Sequence, residues 1–92
     1  MKVSVVIPTY NGADFIAGTL QSVLNQTFSD FEVVVSDDAS SDGTMAAVES
    51  IGDPRVAVAE DRSHVGPGGN WNRALALARG EYIKGLAQDD ML

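Results

Sequence analysis

Val3-Ser4-Val5-Val6-Ile7, followed by Pro8-Thr9-Tyr10-Asn11, is the stretch on which the fold turns. Its first five residues are β-branched and nearly uninterrupted, the pattern of a strand buried on both faces, and such strands belong to parallel sheets covered by helices. Pro8 has no amide proton and is expected to end the ladder. The polar and aromatic residues after it then stand at the carboxyl end of a central strand.

Working outward, the apolar pairs Phe15/Ile16, Thr19/Leu20 and Val23/Leu24 recur every four residues between Asp14 and Gln26, which predicts a helix with Asn11 as its cap. Phe31 to Ser36 reads as a second strand and about Thr44 to Ser50 as a second helix. The polar run Asp37 to Gly43 between them is rich in turn and capping residues, with Asp42 expected to cap that helix. Gly52-Asp53-Pro54 signals a turn before a short strand, Arg55 to Ala59. The glycine-rich stretch His64 to Gly69 is expected to be loop. A third helix over Asn70 to Arg79 presents Trp71, Ala74, Leu75 and Ala78 on one face, with Gly80 as its stop and Glu81 to Leu86 as a fourth strand. Alternating strands and helices predict an α/β, Rossmann-like parallel sheet with flanking helices.

The composition narrows the function. Ninety-two residues, 45% hydrophobic and 21% charged, make one small domain or part of a larger one. The absence of cysteine excludes disulfides, thiolate zinc sites and a cysteine nucleophile, and it suits a reducing, cytoplasmic setting. A net charge of -7 disfavours nucleic acid and anionic membrane as partners. The charge is uneven: Asp30 to Asp61 holds nine acids and one Arg, whereas Arg62 to Lys84 holds four basic residues and one acid. No apolar run approaches the ~20 residues of a membrane span, and Pro8 comes too early for a signal peptide.

In open α/β sheets ligands bind beyond the carboxyl ends of the strands, where the strand order reverses. If the strand order is 3-2-1-4, Pro8-Thr9-Tyr10-Asn11, Asp37-Asp38 and Asp89-Asp90 meet around the first strand. Tyr10 offers a face on which a nucleobase stacks, Asp38 an acceptor for a base N–H or a ribose hydroxyl, and adjacent carboxylates suit Mg2+ or Mn2+ shared with phosphates. Trp71 is expected in the core, and Arg62, His64 and Arg73 on the surface. Ser40-Ser41-Asp42-Gly43-Thr44 echoes a phosphohydrolase signature, but Ser40 stands where the nucleophilic carboxylate would be.

The segments Val5 to Asn11, Leu20 to Phe28, Asp37-Asp38, Asp53 to Val56 and Ala78 to Ile83, ending in Asp89-Asp90, together resemble the amino-terminal half of a family 2 glycosyltransferase. The resemblance spans almost the whole chain. It implies the GT-A fold, with residues 1–92 as the nucleotide-sugar-binding half and the acceptor-binding half and catalytic base outside them. It also implies a nucleotide-diphosphate-sugar donor, UDP-linked on the reading of Asp38 against a pyrimidine N3–H. Inversion at the anomeric carbon, an Mn2+ or Mg2+ cofactor and a carbohydrate or lipid-linked acceptor follow from the same likeness, in a cytoplasmic enzyme that works at the inner membrane face if the acceptor is a lipid.

Carried over by position, Pro8, Thr9, Tyr10 and Asn11 hold the base and Asp38 contacts its edge, while Asp37 orients the loop. Asp89 binds ribose or sugar and Asp90 the metal. Gln88 departs from the family's Asp-x-Asp pattern, and Gly68-Gly69-Asn70 stands where some relatives place a basic residue, so backbone N–H groups at the helix start are the substitute. A noncatalytic nucleotide-sugar or partner-binding module is the alternative. An exposed edge beside the fourth strand predicts homo-oligomers.

Overall fold

The computed structural model describes residues 3–26 and 30–87. Their order is β1 (Val3–Thr9), α1 (Ile16–Leu24), β2 (Phe31–Asp37), α2 (Thr44–Ile51), β3 (Val56–Val58), α3 (Gly66–Leu77) and β4 (Tyr82–Gly85). The four strands form one sheet in the order β3-β2-β1-β4, every pair parallel, as the alternation of elements predicts.

Two cores follow from strand alternation. Val5, Ile7, Val33 and Val35 point to one face, where Ile16, Leu20 and Val23 of α1 and Val48 of α2 cover them. Val6 and Val34 point to the other, beneath Ala74, with Trp71, Leu75 and Ala78 packed alongside. Right-handed crossovers require this division. The chain steps from β1 to β2 to β3 in one direction with its helices on one face, then returns past β1 to β4 with α3 on the opposite face.

Several boundaries differ from the sequence reading for local reasons. Pro8 does not end β1: it stays in register with Ser36. Residues of a strand face alternate neighbours. Val6 O accepts Leu86 N–H on the β4 side and Thr9 O accepts Asp38 N–H on the β2 side, so Pro8 faces β4 just where that pairing stops. Its missing amide is not needed.

Asn11 does not cap α1, which starts later, at Ile16, after a turn closed by Gly12 O. Asn11 instead adopts φ 47° and bonds to the loop before α2. The glycine-rich stretch is not all loop, because α3 begins at Gly66, with Pro67 in its first turn where a missing N–H costs nothing. Nor is Gly80 a helix stop. The helix ends at Leu77, and Gly80 is required because a Cβ there would lie 2.7 Å from Ser4 N and Oγ.

One buried network fixes that junction. Glu32, 3% exposed, accepts the Ser4 hydroxyl at 2.6 Å and the Arg79 N–H at 2.6 Å, and Ser4 Oγ in turn accepts Gly80 N–H at 2.7 Å. A carboxylate on β2 thereby sets where α3 ends and β4 begins.

Candidate functional site

The carboxyl ends of β1 and β2 open into a cleft of about 450 Å³ lined by Pro8, Thr9, Tyr10, Asp38, His64, Pro67, Asn70 and Ala87. Its place beside β1, where the strand order reverses, is that expected for a ligand in this architecture. Pro8, Thr9, Tyr10 and Asp38 from the sequence reading meet here. Asn11 does not line the cleft: its N–H donates to Ser40 Oγ at 2.9 Å and its Oδ1 accepts Ser41 N–H at 2.9 Å. With Gly12 N–H on Thr44 Oγ1 and Ala13 N–H on Asp42 Oδ2, these bonds stitch the loop after β1 to the loop before α2. Asp89 and Asp90 lie outside the described residues.

Asp42 sits one residue before the α2 cap, Gly43, and makes no cap bond there; its carboxylate accepts the Thr44 N–H at 3.0 Å and the Thr44 hydroxyl. Those bonds from Thr44 hold the Asp42 carboxyl below its usual range. Its role is structural, at the base of the loop.

The two adjacent aspartates divide their work. Asp37 does not line the cleft: its Oδ1 accepts the Thr9 hydroxyl at 2.9 Å and its Oδ2 accepts Ser40 N–H at 3.0 Å. It orients the loop. Asp38 lies on the cleft wall with its side chain 6% exposed, Oδ1 accepting Val65 N–H at 2.6 Å and Oδ2 standing 3.2 Å from His64 Nδ1. The two carboxylates thus serve different partners. Among the described residues no group of three or more His, Asp or Glu side chains is placed to hold a metal.

Tyr10 is 53% exposed at the cleft mouth, and its ring centroid lies 6.4 Å from that of His64. An exposed aromatic face and a buried acceptor in one cleft suit a flat heterocycle that stacks and donates through its edge.

Three residues were not singled out for this site. Arg73, expected on the surface, is largely buried, its side chain 13% exposed. Its guanidinium donates to Ser36 Oγ at 2.9 Å, Asp37 O at 2.8 Å, Asn70 Oδ1 at 3.1 Å and Ser63 O at 3.0 Å. Asn70, 3% exposed, joins both strand ends by accepting the Ser36 hydroxyl and donating to Thr9 O. Both project from α3 three residues apart, inside the helix the sequence predicts, but their partners Thr9, Ser36 and Asp37 lie on distant strands. His64 is solvent-exposed as expected, yet lines the cleft. Arg62 is a surface group, paired with exposed Glu49. Trp71 packs beneath the sheet as a core residue, its ring over Gly85.

Comparison with known proteins places this geometry. The family model described as Glycosyl transferase family 2 matches residues 4–92. The GalNAc(5)-diNAcBac-PP-undecaprenol beta-1,3-glucosyltransferase of Campylobacter jejuni is 38% identical over 94 residues, covering 99% of this chain and 30% of that protein. The crystal structure of S. aureus TarS 1-349 in complex with UDP-GlcNAc superposes with a TM-score of 0.92 at 39% identity, covering 99% of this chain and 27% of the other. The mannosyltransferase PcManGT from Pyrobaculum calidifontis, in complex with GDP-Man and Mn2+, gives 0.88 at 33% identity, covering 98% and 28%. The chain thus spans between a quarter and a third of the length of these relatives. With its parallel 3-2-1-4 sheet and a cleft at the strand ends, it belongs to the family 2 glycosyltransferases and has their GT-A fold.

Proposed function

We propose that the cleft is the base-and-ribose end of a nucleotide-sugar donor site, and that residues 1–92 are the donor-binding part of an inverting glycosyltransferase. The observation that carries this reading is the buried Asp38 carboxylate in the wall of the same cleft as the exposed Tyr10 ring. Asp38 accepts a base N–H, Tyr10 stacks on the base, and Pro8 and Thr9 form the wall between them. Asn11 supports the loop from behind. Relatives solved with UDP-GlcNAc and with GDP-Man are consistent with either base, since uracil N3–H and guanine N1–H both suit a carboxylate, whereas adenine offers an acceptor at that edge.

In the reaction proposed, an acceptor hydroxyl attacks the anomeric carbon opposite the diphosphate. The new C–O bond forms as the bond to phosphate breaks, a carboxylate base outside these residues takes the proton, and the nucleoside diphosphate leaves. Asp90 is the proposed ligand for Mn2+ or Mg2+, and Asp89 the proposed contact to ribose or sugar. The described carboxylates do not fit the cation, because no three His, Asp or Glu side chains among the described residues converge to hold one. When bound, the cation supplies charge stabilisation for the leaving diphosphate.

No helix among the described residues is long and apolar enough to cross a membrane. A lipid-linked acceptor fits the Campylobacter relative's name, which contains PP-undecaprenol; a cytoplasmic enzyme working at the membrane face is the setting proposed with it.

The test is titration of the purified chain with UDP and ADP. UDP is expected to bind more tightly, with the preference lost in Asp38→Ala; equal affinities in the unmutated chain would defeat the base assignment. A chain that ignores every nucleotide would instead favour a partner-binding module.

A further inference from the structure

We propose that His64 is the second wall of the base subsite, a stacking residue that faces Tyr10 across the base. This rests on the donor-site reading. It adds to it a residue whose exposure, taken alone, marks it as ordinary surface.

The backbone on both sides of His64 is tied to the cleft. Ser63 O accepts a hydrogen bond from the Arg73 guanidinium at 3.0 Å, and Val65 N–H donates to Asp38 Oδ1 at 2.6 Å. Arg73 is itself anchored on Ser36 Oγ and Asp37 O at the end of β2. The ring between these two ties has a side-chain exposure of 71%, with Nδ1 3.2 Å from Asp38 Oδ2. A well-held backbone thus displays an unburied ring into the cleft.

The ring is also within about an ångström of the separation required. Its centroid lies 6.4 Å from that of Tyr10, with the planes tilted by 51°. A base between two rings needs roughly 7 to 8 Å, twice the favourable separation of carbon atoms. An exposed imidazole turning about its two side-chain torsions supplies the remaining shift and the parallel alignment. Asp38 stands beside His64 on the same wall, so a base held between the rings presents its edge to that carboxylate.

The experiment is calorimetric titration of the 92-residue chain with UDP, ADP and inorganic pyrophosphate, for the unmutated protein and for His64→Ala, His64→Phe and His64→Gln. Thermal melts control for folding, which an exposed residue leaves unchanged. His64→Ala is expected to weaken UDP by about fivefold or more, the low end of measured base stacking. It should leave the UDP-to-ADP ratio and pyrophosphate binding unchanged, because stacking reads neither base edge nor phosphate. His64→Phe keeps a ring and stays within about twofold of the unmutated chain. His64→Gln keeps a donor for Asp38 but no ring, and should bind as weakly as the Ala variant.

Rescue by Gln and not by Phe would overturn the proposal, showing that His64 acts through Asp38. Unchanged UDP affinity in His64→Ala, with losses in Tyr10→Ala and Asp38→Ala, would overturn it while leaving the donor site standing. If Tyr10→Ala and Asp38→Ala are also without effect, the donor-site reading fails and the His64 wall with it.

Discussion

Replacing Glu32 by Ala probes how the sheet positions the cleft. The carboxylate is 3% exposed, and its two short bonds come from the Ser4 hydroxyl and the Arg79 main-chain N–H. The Arg79 guanidinium, 3.5 Å away on a side chain 71% exposed, adds little because solvent screens it. Truncation leaves two donors without their acceptor, each worth about 1 to 3 kcal/mol when buried. Partial hydration makes a total loss of roughly 2 to 4 kcal/mol the expectation, against a stability on the order of 5 to 14 kcal/mol for a chain of this length. At ~4 to 8 °C per kcal/mol, the melting temperature falls by roughly 8 to 32 °C.

The pH dependence carries a sign. Burial pushes the Glu32 carboxyl up, but bonds from Ser4 and the Arg79 N–H, with the Arg79 charge, outweigh it and hold it below the usual 4.5. Its stabilisation is therefore present above pH 4.5 and lost as pH falls through the lower folded value. Urea unfolding followed by the fluorescence of Trp71, the chain's one tryptophan, measures both effects. A cost below about 0.5 kcal/mol in Glu32→Ala, or an acid limb unchanged in Glu32→Gln, would refute the reasoning.

Gly85→Ala places a Cβ 2.4 Å from the Trp71 ring, so a loss of about 1 to 3 kcal/mol is expected; the smaller ring of Trp71→Phe in the same chain should restore part of it, read by thermal melting. Asp90→Asn should weaken manganese-dependent UDP binding far more than Asp42→Asn, since only Asp90 is proposed to meet the cation; similar losses in a calorimetric titration would reveal a net-charge effect. All four residues of β4 are exposed, with Tyr82 at 61% and Ile83 at 45%. We propose homo-oligomers through that edge, so light scattering should show self-association that Ile83→Lys reduces.

Much of the fold was legible because β-branched runs and four-residue apolar spacing report burial directly. Strand direction and the Trp71–Ala74–Leu75–Ala78 face followed from them; the order β3-β2-β1-β4 did not, because local periodicity does not say which strands lie side by side. The boundaries escaped where tertiary context overrode local preference. Pro8 stays in its strand because β4 has stopped beside it, and Gly66 to Gly69 enter a helix because Pro67 suits a first turn. Of the cleft, Tyr10 and Asp38 were legible as side chains following strands. His64, Asn70 and Arg73 were not, because their roles depend on contacts made across 26 or more residues of sequence, with Asp38, Thr9 and Ser36. No local pattern encodes such a meeting.

The most direct test of the donor site is an amide chemical-shift map of the labelled chain titrated with UDP. Binding in the Tyr10–Asp38 cleft predicts the largest changes at Thr9, Tyr10, Asp38, Val65 and Gly66, the amides that border it. Changes centred instead on Val58, Ala59, Asp61, Ala76 and Leu77, which line a second cleft beside β3, would contradict the assignment, as would a spectrum that does not move at all.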